Sequence, residues 1–154
     1  MINVDKIVLR KAHGNDVGIY FEWVNDSEVR KQSFNSEAVL WQAHQEWYKN
    51  KLLDENCFMF VMESDNQPVG QIRFDVVDGV ANIDYSLDKK ARGKHLGERL
   101  ISDGIDMVLA NRCVVFQASI KKQNLASIKT IKKLGFDEVE SNNPEKSIFQ
   151  KKVL

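Results

Sequence analysis

Six consecutive residues, Arg92-Gly93-Lys94-His95-Leu96-Gly97, set two glycines, two full positive charges and a histidine directly ahead of an amphipathic stretch. A glycine-bearing loop leading from a strand into a helix presents free backbone N–H groups at the positively polarised helix end, which suits a phosphate or pyrophosphate. Basic turns also start helices with no ligand at all, so by itself the stretch leaves both readings open. A second polar group precedes it. Gln71, Arg73 and Asp75 alternate with apolar neighbours, as do Asn82, Asp84 and Ser86, and Asp78-Gly79 lies between the two runs. Asp-Gly is a strong two-residue hairpin signal. Pairing Val77 with Val80 sets Asp75 against Asn82, Arg73 against Asp84 and Gln71 against Ser86, with all six on one face. The other face carries Ile72, Phe74 and Val76 against Tyr85, Ile83 and Ala81. The polar face is either solvated, around one Arg73–Asp84 ion pair, or the floor of a polar cleft. That pairing counts against Asp84 as a strong proton acceptor but suits it to hold an ammonium or a sugar hydroxyl.

Seven strands and four helices are expected to position these residues. Strands are predicted over 7–11, 57–63, 69–77, 80–87, 114–120, from 136, and over 147–153, with a turn at 65–68. Helices are predicted over 15–25, 37–53, 96–110 and 125–134, the last ended by Gly135. The run Cys57-Phe58-Met59-Phe60-Val61-Met62 is almost wholly apolar, as in a strand covered on both faces. The order βααβββαβαββ implies an α/β fold: one domain over 1–154, with a mixed, mostly antiparallel sheet between helices.

The 22 Lys+Arg balance the 22 Asp+Glu, so no global field favours nucleic acid or an anionic membrane. No apolar run approaches the ~20 residues that cross a bilayer, and the first residues lack a secretory apolar segment. Cys57 and Cys113 both open apolar runs without metal or redox spacing, which reads as two buried thiols, no metal site and a reduced, cytoplasmic setting.

Taken together, these residues resemble the GNAT superfamily of acetyl-CoA-dependent N-acetyltransferases. Arg92-Gly93-Lys94-His95-Leu96-Gly97 is similar to its pyrophosphate motif, Arg/Gln-x-x-Gly-x-Gly/Ala, and Asn124-Leu125-Ala126-Ser127-Ile128 through Lys133-Leu134-Gly135-Phe136 to its second signature. The resemblance implies that the backbone from Arg92 to Gly97 holds the CoA pyrophosphate. It further implies that the strand at Tyr85 and Leu87 splays from its neighbour to bind pantetheine, and that Asn124 and Ser127 meet the cofactor arm. Most of Lys121, Lys122, Lys129, Lys132 and Lys133 form a solvated face, with one or two available to the 3′-phosphate. Two residues depart from the family pattern. His95 replaces the usual first glycine, and Ile131 stands where many members carry the tyrosine that protonates the leaving thiolate. Ser127, Tyr85 or a water must then serve, or the thiolate leaves unassisted.

The acceptor should lie on the early helices and the polar ladder. Trp23-Val24-Asn25-Asp26-Ser27-Glu28-Val29-Arg30, Ser33-Phe34-Asn35-Ser36 and His44-Gln45-Glu46-Trp47 are similar to a GNAT subgroup that acetylates nucleotide-linked amino sugars on routes to pseudaminic and related nonulosonic acids. That resemblance implies a small-molecule amine, a UDP-linked amino sugar, with Arg30 on phosphate, Trp47 as a stacking ring, and Asn35, His44, Arg73 and Asp84 on hydroxyls or the amine. From the residues alone, Trp23 and Trp47 at helical spacing read more readily as core than as sugar platforms, His44 reads equally as a buried structural imidazole, and Asp26 or Ser27 as a cap. The expected chemistry is direct attack of the amine on the thioester. A backbone N–H near Leu87 stabilises the oxyanion, and a water held by Asn82, Asp84 or Ser86 takes the proton. The rivals are a protein N-terminus or a polyamine as acceptor, or an acyl-CoA sensor without catalysis. The expected assembly is a monomer or homodimer.

Overall fold

In a computed structural model, which describes residues 2–109 and 115–153, two tight turns set the register of the sheet. Asp65 and Asn66 (φ 50° and 65°) and Asp78 and Gly79 (φ 51° and 79°) are left-handed at both central positions, the backbone that matches the twist of a hairpin. They join β2 (Cys57–Ser64), β3 (Gln67–Val77) and β4 (Val80–Leu87). The β3–β4 register reproduces the expected ladder pair for pair, from Val77 opposite Val80 to Gln71 opposite Ser86. The expected turn over 65–68 is corrected to Asp65-Asn66 alone. Pro68 is tolerated inside β3 because it lies opposite Glu63, where the register shifts between Met62 and Glu63 and a ladder N–H is dispensable.

With β1 (Ile7–Lys11), β5 (Val115–Lys121), β6 (Asp137–Val139) and β7 (Lys146–Lys152), the seven strands stand in the order β1-β2-β3-β4-β5-β7-β6. Every neighbouring pair is antiparallel except β4 and β5. The expected helix end at Ala110, the strand start at Val114 and the thiol of Cys113 lie outside the described residues.

The helices are α1 (Val17–Val24), α2 (Ser27–Gln32), α3 (Trp41–Leu53), α4 (Leu96–Leu109) and α5 (Leu125–Lys133). The expected order lacked α2, and placed the start of α3 four residues early. Tertiary contacts explain the difference. Asn25 exchanges two side-chain hydrogen bonds with the backbone of Val39, and Arg30 donates to the carbonyls of Asn35 and Glu37. Residues 33–40 are therefore held out of helix, although their side chains would permit it.

The helices cover both faces of the sheet. On one, α4 and α5 bury Leu100, Ile101 and Ile131 against Phe74, Phe116 and Phe149. Contact there is close enough that a Cβ on Gly104 of α4 would stand 3.0 Å from Phe74. On the other, Tyr20, Trp23 and Tyr48 of α1 and α3 pack on Met59 and Val61. Because Met59 pairs with Arg73 and Val61 with Gln71, the polar ladder lies on this second face, beside α1 and α3. Arg10 anchors the start of α1 through two 2.8 Å bonds to the buried carboxylate of Asp16.

Candidate active site

Strands β4 and β5 pair only over Val80–Asn82 and Val115–Gln117, and beyond that point they separate. Asp88 N–H donates to Val69 O at 2.8 Å. Alternation of the antiparallel ladder therefore turns the N–H groups of Leu87 and Tyr85 away from β3, toward the gap. An amide chain marks where pairing ends: Gln150 Nε2 donates to Gln117 Oε1 at 2.6 Å, and Gln117 Nε2 to Asn82 Oδ1 at 3.1 Å. Asn82 Nδ2 in turn donates to Asp75 O. The expected water-holding role of Asn82 is thus corrected, since both ends of its side chain pin the strands.

The loop 92–97 enters α4, whose first N–H groups have no intrahelical partner. Gly93 (φ 75°) and His95 (φ 60°) are both left-handed, which explains why a glycine suits position 95. His95 accepts that conformation, and its exposed ring lies 3.7 Å from Glu98. Gly93 and Lys94 are exposed, whereas Leu96 is buried and offers only its backbone. Arg92 is corrected from a pyrophosphate ligand to a strut. Its N–H donates to Lys89 O, and its guanidinium bonds Asp26 at 2.6 Å. Gly97 lies close beneath the gap, where an added Cβ would meet Tyr85 at 3.7 Å. A narrow slot between strands with free N–H groups, leading to a helix N-terminus flanked by Lys94 and His95, fits a pantetheine arm ending in a pyrophosphate.

Across this slot Tyr85 Oη and Ser127 Oγ stand 2.7 Å apart. Burial pushes the Tyr85 phenol up, the Ser127 bond pulls it down and the Asp84 charge raises it; the net shift is upward, so the phenol keeps its proton at neutral pH. Asn124 caps α5 by accepting from Ser127 N–H at 3.3 Å. Ile131 is fully buried in the core, so its position supplies no proton. Among the cluster lysines, Lys121 donates to Lys31 O and Lys133 pairs with Glu98.

On the α1–α3 side, a small cleft of about 60 Å³ is lined by Trp47, His44, Gln71, Arg73, Asp84 and Ser86 among others. The guanidinium of Arg73 sits 4.9 Å over the Trp47 ring. The expected ion pair with Asp84 is present, at 3.6 Å, and Asp75 is a second and closer partner, at 2.8 Å. Lys51 also holds Asp75, at 2.7 Å. Burial raises the Asp75 carboxyl, yet Lys51 and Arg73 outweigh it and the net shift is downward.

Two further expected ligands are corrected. Arg30 spends its donors on Val24 O, Asn35 O, Glu37 O and Ser33 Oγ, so it organises the wall of the cleft. Asn35 is exposed and closes an Asx turn onto Glu37 N–H. His44 is 2% exposed, donates from Nε2 to Val17 O at 2.9 Å, and is stacked on Trp41 and Trp47. Burial lowers its pKa against a smaller opposing effect of the Val17 bond, which leaves a neutral ring. Trp23 is a core residue whose Nε1 donates to Asp88 at 2.9 Å. Cys57 is half-buried and unbridged, its thiol pushed up to about 12 by burial and the nearby Asp75. Asp88 carries no signal in the sequence, Asp26 reads there only as a cap within the longer pattern, and Gln71 only as one rung of the ladder; the structure gives Asp26 to Arg92 instead.

Among the described residues, no cluster of His, Cys, Asp and Glu could hold a metal, and no helix is long and apolar enough to cross a membrane.

No curated protein matches the chain significantly. Solved structures with the same fold include a domain from Methanocaldococcus jannaschii, with TM-score 0.83 and 20% identity, covering 96% of this chain and 99% of that one. Aminoglycoside acetyltransferase AAC(6')-Ib in complex with coenzyme A superposes with TM-score 0.80 at 20% identity over 95% and 94% of the two chains. Spermidine N-acetyltransferase from Vibrio cholerae, in complex with CoA and spermine, does so with TM-score 0.80 at 16% identity over 95% and 94%. The family model described as the acetyltransferase (GNAT) domain matches residues 6–137, and with the splayed strands and the loop at α4 on the page, this chain belongs to that family of acetyl-CoA-dependent N-acetyltransferases.

Proposed function

We propose that this acetyltransferase acts on the amino group of a nucleotide-linked amino sugar. The observation that carries the reading is the cleft, in which Trp47 forms one wall beside a hydrogen-bonding floor of Gln71, Arg73, Asp84 and Ser86. A pyranose needs directional partners for its hydroxyls beside an apolar wall, and Trp47, with Arg73 over its ring, supplies that wall. A floor that holds Arg73 among its carboxylates suits a polycation less well than a wholly acidic one would. The ligands named for the solved relatives, aminoglycosides and spermine, both carry several amines, and only the aminoglycosides carry them on sugar rings.

The amine nitrogen attacks the acetyl carbonyl carbon as the carbon–sulfur bond breaks. Leu87 N–H, turned into the gap, stabilises the oxyanion. Asp84, directly or through a water, accepts the proton that leaves nitrogen. Tyr85, hydrogen-bonded to Ser127, donates the proton to the departing thiolate and fills the role that Ile131 cannot. A sugar amine is less basic than an alkyl amine, so it reaches its neutral form with modest help.

CoA release with a panel of UDP-linked amino sugars, polyamines and peptide N-termini tests the reading. Turnover of a UDP-linked 4-amino sugar at the lowest KM supports it. Turnover of peptides or polyamines alone sinks it, and tight acetyl-CoA binding with no turnover favours the sensor.

A further inference from the structure

We infer that Gln71 reads the acceptor nitrogen together with Asp84. Its side-chain oxygen accepts one N–H of a primary amine, and the Asp84 carboxylate accepts another. Gln71 is only 6% exposed and lines the acceptor cleft. Its Nε2 donates to Asp84 Oδ2 at 3.2 Å and to Ser86 Oγ at 3.1 Å. A carboxylate can only accept, so the amide cannot be turned the other way around. Gln71 Oε1 is thereby left buried with no hydrogen-bond partner, one of two such side-chain atoms among the described residues. The other, on Gln32, belongs to α2 and does not line the cleft.

A buried acceptor without a donor is unfavourable in the free protein and becomes satisfied when a ligand supplies an N–H or O–H. Amide geometry puts Oε1 about 2.3 Å from Nε2, so a small rotation of the Gln71 side chain brings Oε1 to a ligand atom that meets the Asp84 carboxylate. A primary amine or ammonium has the two hydrogens this pair requires, whereas a hydroxyl has one. The pair therefore selects nitrogen over oxygen at the attacking position. Its location agrees: Gln71 is paired with Ser86, one residue before the Leu87 N–H that faces the gap.

This inference rests on the cleft being the acceptor site, not on the acceptor being a sugar. The test measures CoA release at saturating acetyl-CoA for wild type, Gln71→Leu and Gln71→Met, with a UDP-linked 4-amino sugar, its 4-hydroxyl counterpart, kanamycin, spermidine and a peptide. For whichever amine the wild type uses, Gln71→Leu should lower kcat/KM about 10- to 100-fold, mostly through KM, with KM for acetyl-CoA within about twofold. Gln71→Met keeps the length of the side chain without its polar end, should lose as much, and serves as the informative variant should Gln71→Leu fail to fold. Undiminished kcat/KM in folded Gln71→Leu or Gln71→Met would mean that the oxygen holds only water and would overturn the inference. Use of spermidine or the peptide alone removes the sugar reading and leaves this one standing. Binding of acetyl-CoA with no amine used would overturn the acceptor reading of the cleft and this inference with it.

Discussion

The two sides of the β4–β5 gap are built from different materials. On the side proposed for the cofactor the groups left to bind a ligand are main-chain: the N–H groups of Tyr85 and Leu87, and those of the left-handed loop ahead of α4. On the acceptor side they are side chains already engaged with one another, as in the Arg73–Asp75–Lys51 cluster and the Gln71–Asp84–Ser86 group. A main-chain site tolerates sequence change wherever the backbone path survives, which is why His95 can replace a glycine. A side-chain site depends on each residue and on its partners. Substitutions should therefore cost more on the acceptor side than on the cofactor side.

The largest expected effect is on the acceptor side. Asp84→Asn should lower kcat by about 10²-fold, the low end of the range for loss of a proton acceptor because Arg73 stands 3.6 Å from the carboxylate, while leaving KM for acetyl-CoA nearly unchanged. An equal rise in KM for acetyl-CoA would break the division between the two sides.

Next comes the scaffold beneath α1. Asp16 is buried and held by Arg10 and by His13 N–H, so Asp16→Ala should cost about 3 kcal/mol of stability in denaturant titration, as for other broken buried pairs. The same carboxylate sets a pH dependence. Burial raises its pKa, but the Arg10 bonds, with His13, outweigh that, and the net shift is downward; Asp75 is shifted in the same direction. A depressed folded pKa contributes stability that is present above the unfolded value, ~3.9, and is lost as pH falls through the folded one. Tm should hold above pH ~5 and fall steeply below pH ~4. The fall should be shallower in Asp16→Ala.

On the cofactor side the effects should shrink. Tyr85→Phe should lower kcat about tenfold, because a thiolate leaves tolerably without an acid, and should leave KM for the acceptor within about twofold. Ser127→Ala should do less. A loss in Tyr85→Phe as large as in Asp84→Asn would show that thiolate release limits the reaction.

The smallest effect, and the one of opposite sign, belongs to the loop. His95→Gly relieves a left-handed residue with a β-carbon and should stabilise the protein by up to about 1 kcal/mol, read as a rise in Tm. It should also preserve acetyl-CoA affinity, since the N–H groups are unchanged. Loss of affinity would assign the imidazole itself a place at the phosphate.

Legibility in sequence followed the same division. The hairpin at Asp78-Gly79, its six polar partners and the loop ahead of α4 could be read because they rest on local rules, strand alternation and turn residues, that need no knowledge of distant chain. The roles expected of Arg30, Asn35, Arg92 and Asn82 failed for one reason. Each has donors or acceptors that sequence shows as available, and in the folded chain each is consumed by a partner: Arg30 by the loop at 33–37, Arg92 by Asp26 at a separation of 66 residues, Asn82 by Gln117 at 35. The start of α3 was misplaced for the same cause, through Asn25 and Val39.

What the sequence determined by itself was the backbone path: strand faces, turn positions and the glycine-bearing entry to α4. These depend on steric and periodic preferences of neighbouring residues. Only the tertiary structure decided which polar groups remain free to meet a ligand. Hydrogen-bond saturation is a property of the packed molecule, so the unspent oxygen of Gln71 and the Tyr85–Ser127 pair became visible only once every competing partner had been placed.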